Sequence, residues 1–114
     1  MKLDGIGEFR ARVSMGGGVI PLEGAAVIIR GSENRNSDIT HLLFSDTDGL
    51  TEMIALPTPN IDYSLIPNPS EAPFSKYSVE VIMPGFERQY IEALIFDERT
   101  SFQEFNLLPL QAFE

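Results

Sequence analysis

The stretch Ser45-Asp46-Thr47-Asp48-Gly49-Leu50-Thr51 runs straight into Ile54-Ala55-Leu56-Pro57-Thr58-Pro59, and it constrains the fold more than any other part of the chain. Asp48-Gly49 is a short-range hairpin signal, because both residues tolerate the positive φ of a tight turn. The stretch therefore predicts two strands joined tightly, Ile39 to Phe44 before the turn and Leu50 to Leu56 after it. Leu50, Ile54 and Leu56 share one parity, but Glu52 falls on the same side. Either the second strand starts at its exposed end or a bulge resets its phase.

The other segments have the same character. From Gly7 to Ser14, Phe9, Ala11 and Val13 alternate with Glu8, Arg10 and Arg12, the period-2 pattern of a strand with one face on a core. Met15-Gly16-Gly17-Gly18 breaks it and opens a loop that continues through Pro21 to Gly24. Ala25 to Arg30 carries Val27, Ile28 and Ile29 in a row and reads as a central strand covered on both faces or nearly so. Pro57, Pro59, Pro67, Pro69 and Pro73 remove backbone donors, so 57–73 is the longest loop and connects two sheets. Tyr77, Val79, Val81 and Met83 alternate with Ser78 and Glu80 up to Pro84-Gly85, where a hairpin leads into Arg88 to Phe96. After a charged connection at 97–101, Phe102 to Leu108 is the last strand, with Phe105 and Leu107 on one face.

Seven short strands with no helical period predict an all-β fold, a seven-stranded antiparallel sandwich, with a closed barrel as the alternative. With 114 residues there is room for one domain, 1–114, whose core spans about 7–110. The net charge of -9 repels phosphate backbones and anionic surfaces, which argues against nucleic acid as a partner. No run approaches the roughly 18 to 20 apolar residues of a membrane-spanning helix, so no membrane insertion is expected. Met1 to Arg10 lacks the apolar run of a signal peptide, and the absence of Cys leaves the redox compartment open.

Pro21-Leu22-Glu23-Gly24-Ala25-Ala26-Val27, Asp46-Thr47-Asp48-Gly49-Leu50-Thr51, Ile54-Ala55-Leu56-Pro57-Thr58-Pro59, Tyr77-Ser78-Val79-Glu80-Val81 with Pro84-Gly85-Phe86, and Leu107-Leu108-Pro109-Leu110 together resemble the carboxypeptidase regulatory-like domains. These are transthyretin-like, prealbumin-type Greek-key sandwiches. This version is most similar to small domains that accompany peptidoglycan-binding and spore cortex-lytic proteins of spore-forming bacteria. The resemblance covers nearly the whole chain and implies an accessory role in a bacterial envelope or spore setting.

Candidate chemistry is sparse. Asp46 and Asp48 are alternate carboxylates before a Gly, as at the start of a calcium loop, but a full loop would continue with further oxygen ligands where Leu50 and Thr51 begin a strand. A solvated turn is the preferred reading, with Ca2+ the one cofactor considered. His41 is the only histidine, and it lacks a second His or a Cys for the usual zinc sets, so it reads as a surface or edge residue. Hydroxyisourate hydrolase, another transthyretin-like protein, uses paired histidines and a characteristic tail, whereas this chain ends in Leu110-Gln111-Ala112-Phe113-Glu114. Glu80 and Asn106 resemble the acid and amide of an isopeptide-locked stalk domain, but the first strand offers Arg10 and Arg12 where a Lys is needed. Tyr63, Leu65 and Ile66, flanked by prolines, offer either a stacking platform for a sugar ring or a cover for the end of the sandwich.

The expectation is a non-enzymatic structural or interaction module whose partners are another protein or adjoining domains of a parent chain. The alternative is a carbohydrate or peptidoglycan-binding module that uses the 57–73 loop.

Overall fold

The computed structural model describes residues 3–60 and 73–110. Their strands are β1 (Gly5–Met15), β2 (Ile20–Pro21), β3 (Ala26–Gly31), β4 (Thr40–Phe44), β5 (Ile54–Thr58), β6 (Phe74–Ile82), β7 (Gln89–Phe96) and β8 (Thr100–Asn106), with one 3-10 turn at Asn34–Asn36. They form two four-stranded sheets. In the first, β1 pairs with β8 along one edge and with β5 and β2 along the other. In the second, the order is β4-β3-β6-β7.

The alternation read from the sequence is what builds the core. Phe9, Ala11 and Val13 of β1 are buried, as are Val27 and Ile29 of β3, Tyr77, Val79 and Val81 of β6, and Phe105 of β8. Each large apolar side chain taken fully out of water contributes about 1.5–3 kcal/mol, so this shared layer holds the sheets together. The central position of β3, between β4 and β6, is as expected. Its outward residues Ala26 and Ile28 are only half-buried, so one face of β3 is covered and the other is not.

Three details differ from the expected seven-stranded antiparallel sandwich. Ile20 and Pro21 form an eighth, two-residue strand against Ser14 and Met15, so the glycine run is a hairpin turn and the loop is shorter than 15–24. The β1–β8 ladder is parallel, Glu8 opposite Thr100 through Ser14 opposite Asn106. This pairing is possible because β7 lies in the other sheet: the chain crosses over at 97–99 and enters β8 running in the same direction as β1.

The third difference concerns the turn at Asp48-Gly49, which is a corner between sheets and not a hairpin. β4 belongs to the second sheet and β5 to the first. Gly49 sits at φ 78, its carbonyl accepts the Val13 N–H at 2.7 Å, and a Cβ there would collide with the Val13 carbonyl oxygen. Glycine is required here by the close approach of the corner to β1 as well as by φ.

Of the two explanations left open for the phase of the strand after the corner, the structure has the bulge. Arg12 stands opposite Leu50 and Phe9 opposite Ile54, so between these pairs Arg10 and Ala11 face the three residues Thr51, Glu52 and Met53. The extra residue turns Thr51 inward, where its hydroxyl accepts the Ala11 N–H at 3.0 Å, and leaves Glu52 in solvent. The loop expected at 57–73 starts later, because Pro57 and Thr58 belong to β5 and stand opposite Ile6 and Gly5; the connection that follows leads from β5 of one sheet to β6 of the other, as expected. Pro57 fits within β5 because that strand pairs only with β1 among the described residues.

Candidate functional site

The outward face of the second sheet is apolar over much of its width. The registers align Phe44, Ala26 and Ile82 in one row, and Leu42, Ile28, Glu80 and Tyr90 in the next. Leu42, Phe44 and Tyr90 are 57%, 60% and 64% exposed, values more typical of surface polar side chains. Glu80 interrupts the row and pairs with Arg88 at 3.3 Å. Exposed apolar side chains grouped in this way, next to a charged pair, make this face a candidate interaction surface.

The edge of that sheet is open as well. Among the described residues β4 pairs only with β3. The Ser45 N–H donates to the Ala25 carbonyl, and the Ile39 carbonyl accepts from the Gly31 N–H, so the odd-numbered residues of this segment face β3. Antiparallel pairing alternates, and the backbone groups of Thr40, Leu42 and Phe44 therefore point away from the sheet. Beside this edge lies a groove of about 500 Å3 lined by Leu42, Leu43 and Phe44 and, from the first sheet and the corner, by Arg10, Asp46, Leu50, Thr51 and Glu52. Arg10 is held in place by its Nε, which donates to the Thr51 carbonyl at 2.8 Å.

The residues singled out from the sequence fall in different places. Asp46 lies in the corner, and its Oδ1 accepts the backbone N–H groups of Asp48 at 2.8 Å and Leu50 at 3.0 Å. This carboxylate caps the turn, while Asp48 is exposed in the same turn. Among the described residues, no group of three or more His, Cys, Asp or Glu side chains is placed to hold a metal ion. Tyr63, Leu65 and Ile66 lie outside the described residues. His41 is half-buried on the open-edged strand β4, the edge setting expected of it.

Glu80 and Asn106 are not brought together. Glu80 faces outward on the second sheet beside Arg88, while Asn106 is on β8 of the first and accepts the Gly17 N–H at 3.0 Å. Leu42, Phe44, Ile28 and Tyr90 were not anticipated as site residues. Their signal is in the chain: Leu42 and Phe44 flank the buried Leu43, which makes both parities of β4 apolar.

A polar cluster at the other end of β3 is structural. The Asn36 side chain donates to the Lys76 carbonyl at 3.0 Å and accepts the Glu33 N–H at 2.9 Å, and Glu33 accepts the Lys76 N–H at 2.9 Å. Next to Lys76, the Tyr77 hydroxyl donates to the Pro57 carbonyl at 2.6 Å and ties the second sheet to β5. Burial raises the Tyr77 phenol above its ordinary pKa of 10.0, with Asn36 acting the other way.

No protein-family model matches the chain, and no curated protein does. Solved structures with a similar fold include the TIE protein of Bacillus anthracis, with TM-score 0.64, 14% identity, and coverage of 93% of this chain and 17% of that one. Hydroxyquinol 1,2-dioxygenase from Pseudomonas putida matches with TM-score 0.64 and 12% identity, over 94% of this chain and 58% of the enzyme. The 3-chlorocatechol 1,2-dioxygenase from Rhodococcus opacus matches with TM-score 0.63 and 9% identity, over 93% and 61%. The chain thus spans about a sixth of the first protein and about three-fifths of the two dioxygenases. At such identities the likeness is one of fold.

Proposed function

We propose that the chain is a non-catalytic structural or interaction module of the transthyretin-like, carboxypeptidase regulatory-like Greek-key type, accessory to a bacterial envelope or spore protein. The observation that carries the interaction role is the apolar outward face of one sheet, where Leu42, Phe44 and Tyr90 are exposed and Ile28 is half-buried in two adjacent rows. A monomer with no partner gains nothing from exposing such a face. The envelope setting rests on the resemblance of the sequence motifs. In this reading protein surfaces, or the adjoining domains of a longer chain, cover the apolar face.

Sedimentation with purified peptidoglycan tests the role. A protein-docking or spacing module stays in the supernatant at every salt concentration. Pelleting that is reversed by soluble muropeptides would sink the proposal in favour of a glycan-binding module using the 57–73 loop.

A further inference from the structure

We propose that the open edge of β4 accepts an extended peptide with an apolar centre and Lys or Arg at its two ends, which adds to the second sheet as a fifth strand beside the groove. The inference rests on the reading of the chain as an interaction module and names the occupant of its site. Folded proteins usually guard a sheet edge with charge, Pro or a bulge. Thr40-His41-Leu42-Leu43-Phe44 has no Pro and no acidic or basic residue apart from His41, and among the described residues its outward backbone groups, those of Thr40, Leu42 and Phe44, meet no second strand. An added strand would place one parity of side chains beside Leu42 and Phe44, and the other in the groove over Leu43 and Leu50.

Charge chooses the ends of the peptide. Asp38 stands at one end of the edge, and Asp46 and Glu52 stand at the other, against the single Arg10 in the groove. The chain as a whole carries -9. The same charges argue against a second copy as the occupant. With Leu42 opposite its own counterpart, the register that pairs all of 40–44, Asp46 of each copy would face Asp38 of the other, and like charges directly opposite destabilise a ladder.

The test uses the full chain and the peptide acetyl-Lys-Val-Thr-Val-Thr-Val-Lys-amide, with a Glu-ended analogue as control. Binding followed by NMR and amide exchange should slow exchange at Thr40, Leu42 and Phe44, and the Glu-ended analogue should bind at least about tenfold more weakly. Leu42→Pro removes one outward N–H without touching the bonds to β3, and should weaken binding at least about tenfold while the melting transition persists. If that variant does not fold, Leu42→Lys at the same exposed position should weaken the Lys-ended peptide by repulsion.

Several results would overturn the proposal: no binding by the Lys-ended peptide, equal binding of the two peptides, or unchanged affinity in a folded Leu42 variant. A peptide-free dimer protecting the same amides would do so too, in favour of self-pairing. Shifts at Ile28 and Tyr90 without protection of the β4 amides would overturn strand addition yet leave the docking-module reading standing. Pelleting with peptidoglycan would instead remove the docking-module reading itself.

Discussion

β1 lies inside its sheet and β4 at the edge of the other, and they solve opposite problems. β1 carries apolar residues on one parity and Glu8, Arg10 and Arg12 on the other, and both of its edges are taken, by β8 on one side and by β5, Leu50 and β2 on the other. β4 is apolar on both parities and has one edge taken. A charged outer parity needs nothing beyond water. An apolar outer parity on an open edge is stable only in so far as the rest of the fold holds it, and it leaves a surface for a partner.

The contrast is broken most easily by exchanging what the two strands risk. Phe9→Ala empties a site 1% exposed and should cost about 3–5 kcal/mol in denaturant unfolding. Phe44→Ser, at a site 60% exposed, should change stability by less than about 0.5 kcal/mol. Equal losses would mean that the outer face of β4 is packed by the fold itself.

Gly49→Ala probes how the flank of β1 is closed. Its positive φ and the clash with the Val13 carbonyl should lower stability by about 3 kcal/mol, and a neutral result would show that the corner does not dock on β1. Thr51→Val tests the bulge on the same flank. Leaving the buried Ala11 N–H without its acceptor should cost about 2 kcal/mol, with Thr51→Ser retaining most of it.

Among the buried positions Tyr77→Phe has the smallest expected effect, about 1 kcal/mol, from the lost bond to the Pro57 carbonyl. It also carries a pH signature. Because burial raises the folded phenol above 10.0, the folded state holds this proton more tightly than the unfolded chain. Its contribution is fully present below pH 10 and declines as pH rises through the higher folded value. Alkaline unfolding curves of the wild type should therefore fall more steeply than those of Tyr77→Phe.

Much of the architecture was legible in local pattern. The alternation of Phe9, Ala11 and Val13, and of Tyr77, Val79 and Val81, gives the inward faces, since a pleated strand sends every second side chain to the same side. Pro84-Gly85 correctly marks the β6–β7 hairpin, with the Phe86 N–H bonded to the Met83 carbonyl. Asp48-Gly49 marks a real turn but misleads about what it joins, because positive φ at a tight turn suits a corner between sheets as well as a hairpin. Glu52 on the same parity as Leu50 and Ile54 was the visible trace of the bulge, and the choice between the two explanations needed the pairing of both Arg12 and Phe9 across the ladder.

The candidate site was less legible. Asp46 drew attention as a possible ligand, and its carboxylate serves the backbone of its own turn. Leu42 and Phe44 drew none, because an apolar residue in a strand is by default assigned to the core. By itself, the sequence determines that the chain is strand-rich with a defined inner face, since period and turn chemistry act over a few residues; the choice of a two-sheet sandwich over a closed barrel came from the pairing of the strands. Tertiary structure alone decides that β8 runs parallel to β1, that the corner at Gly49 changes sheets, and that β4 ends a sheet with an apolar face outward. Which strands become neighbours depends on contacts between residues dozens of positions apart, and no local pattern records them.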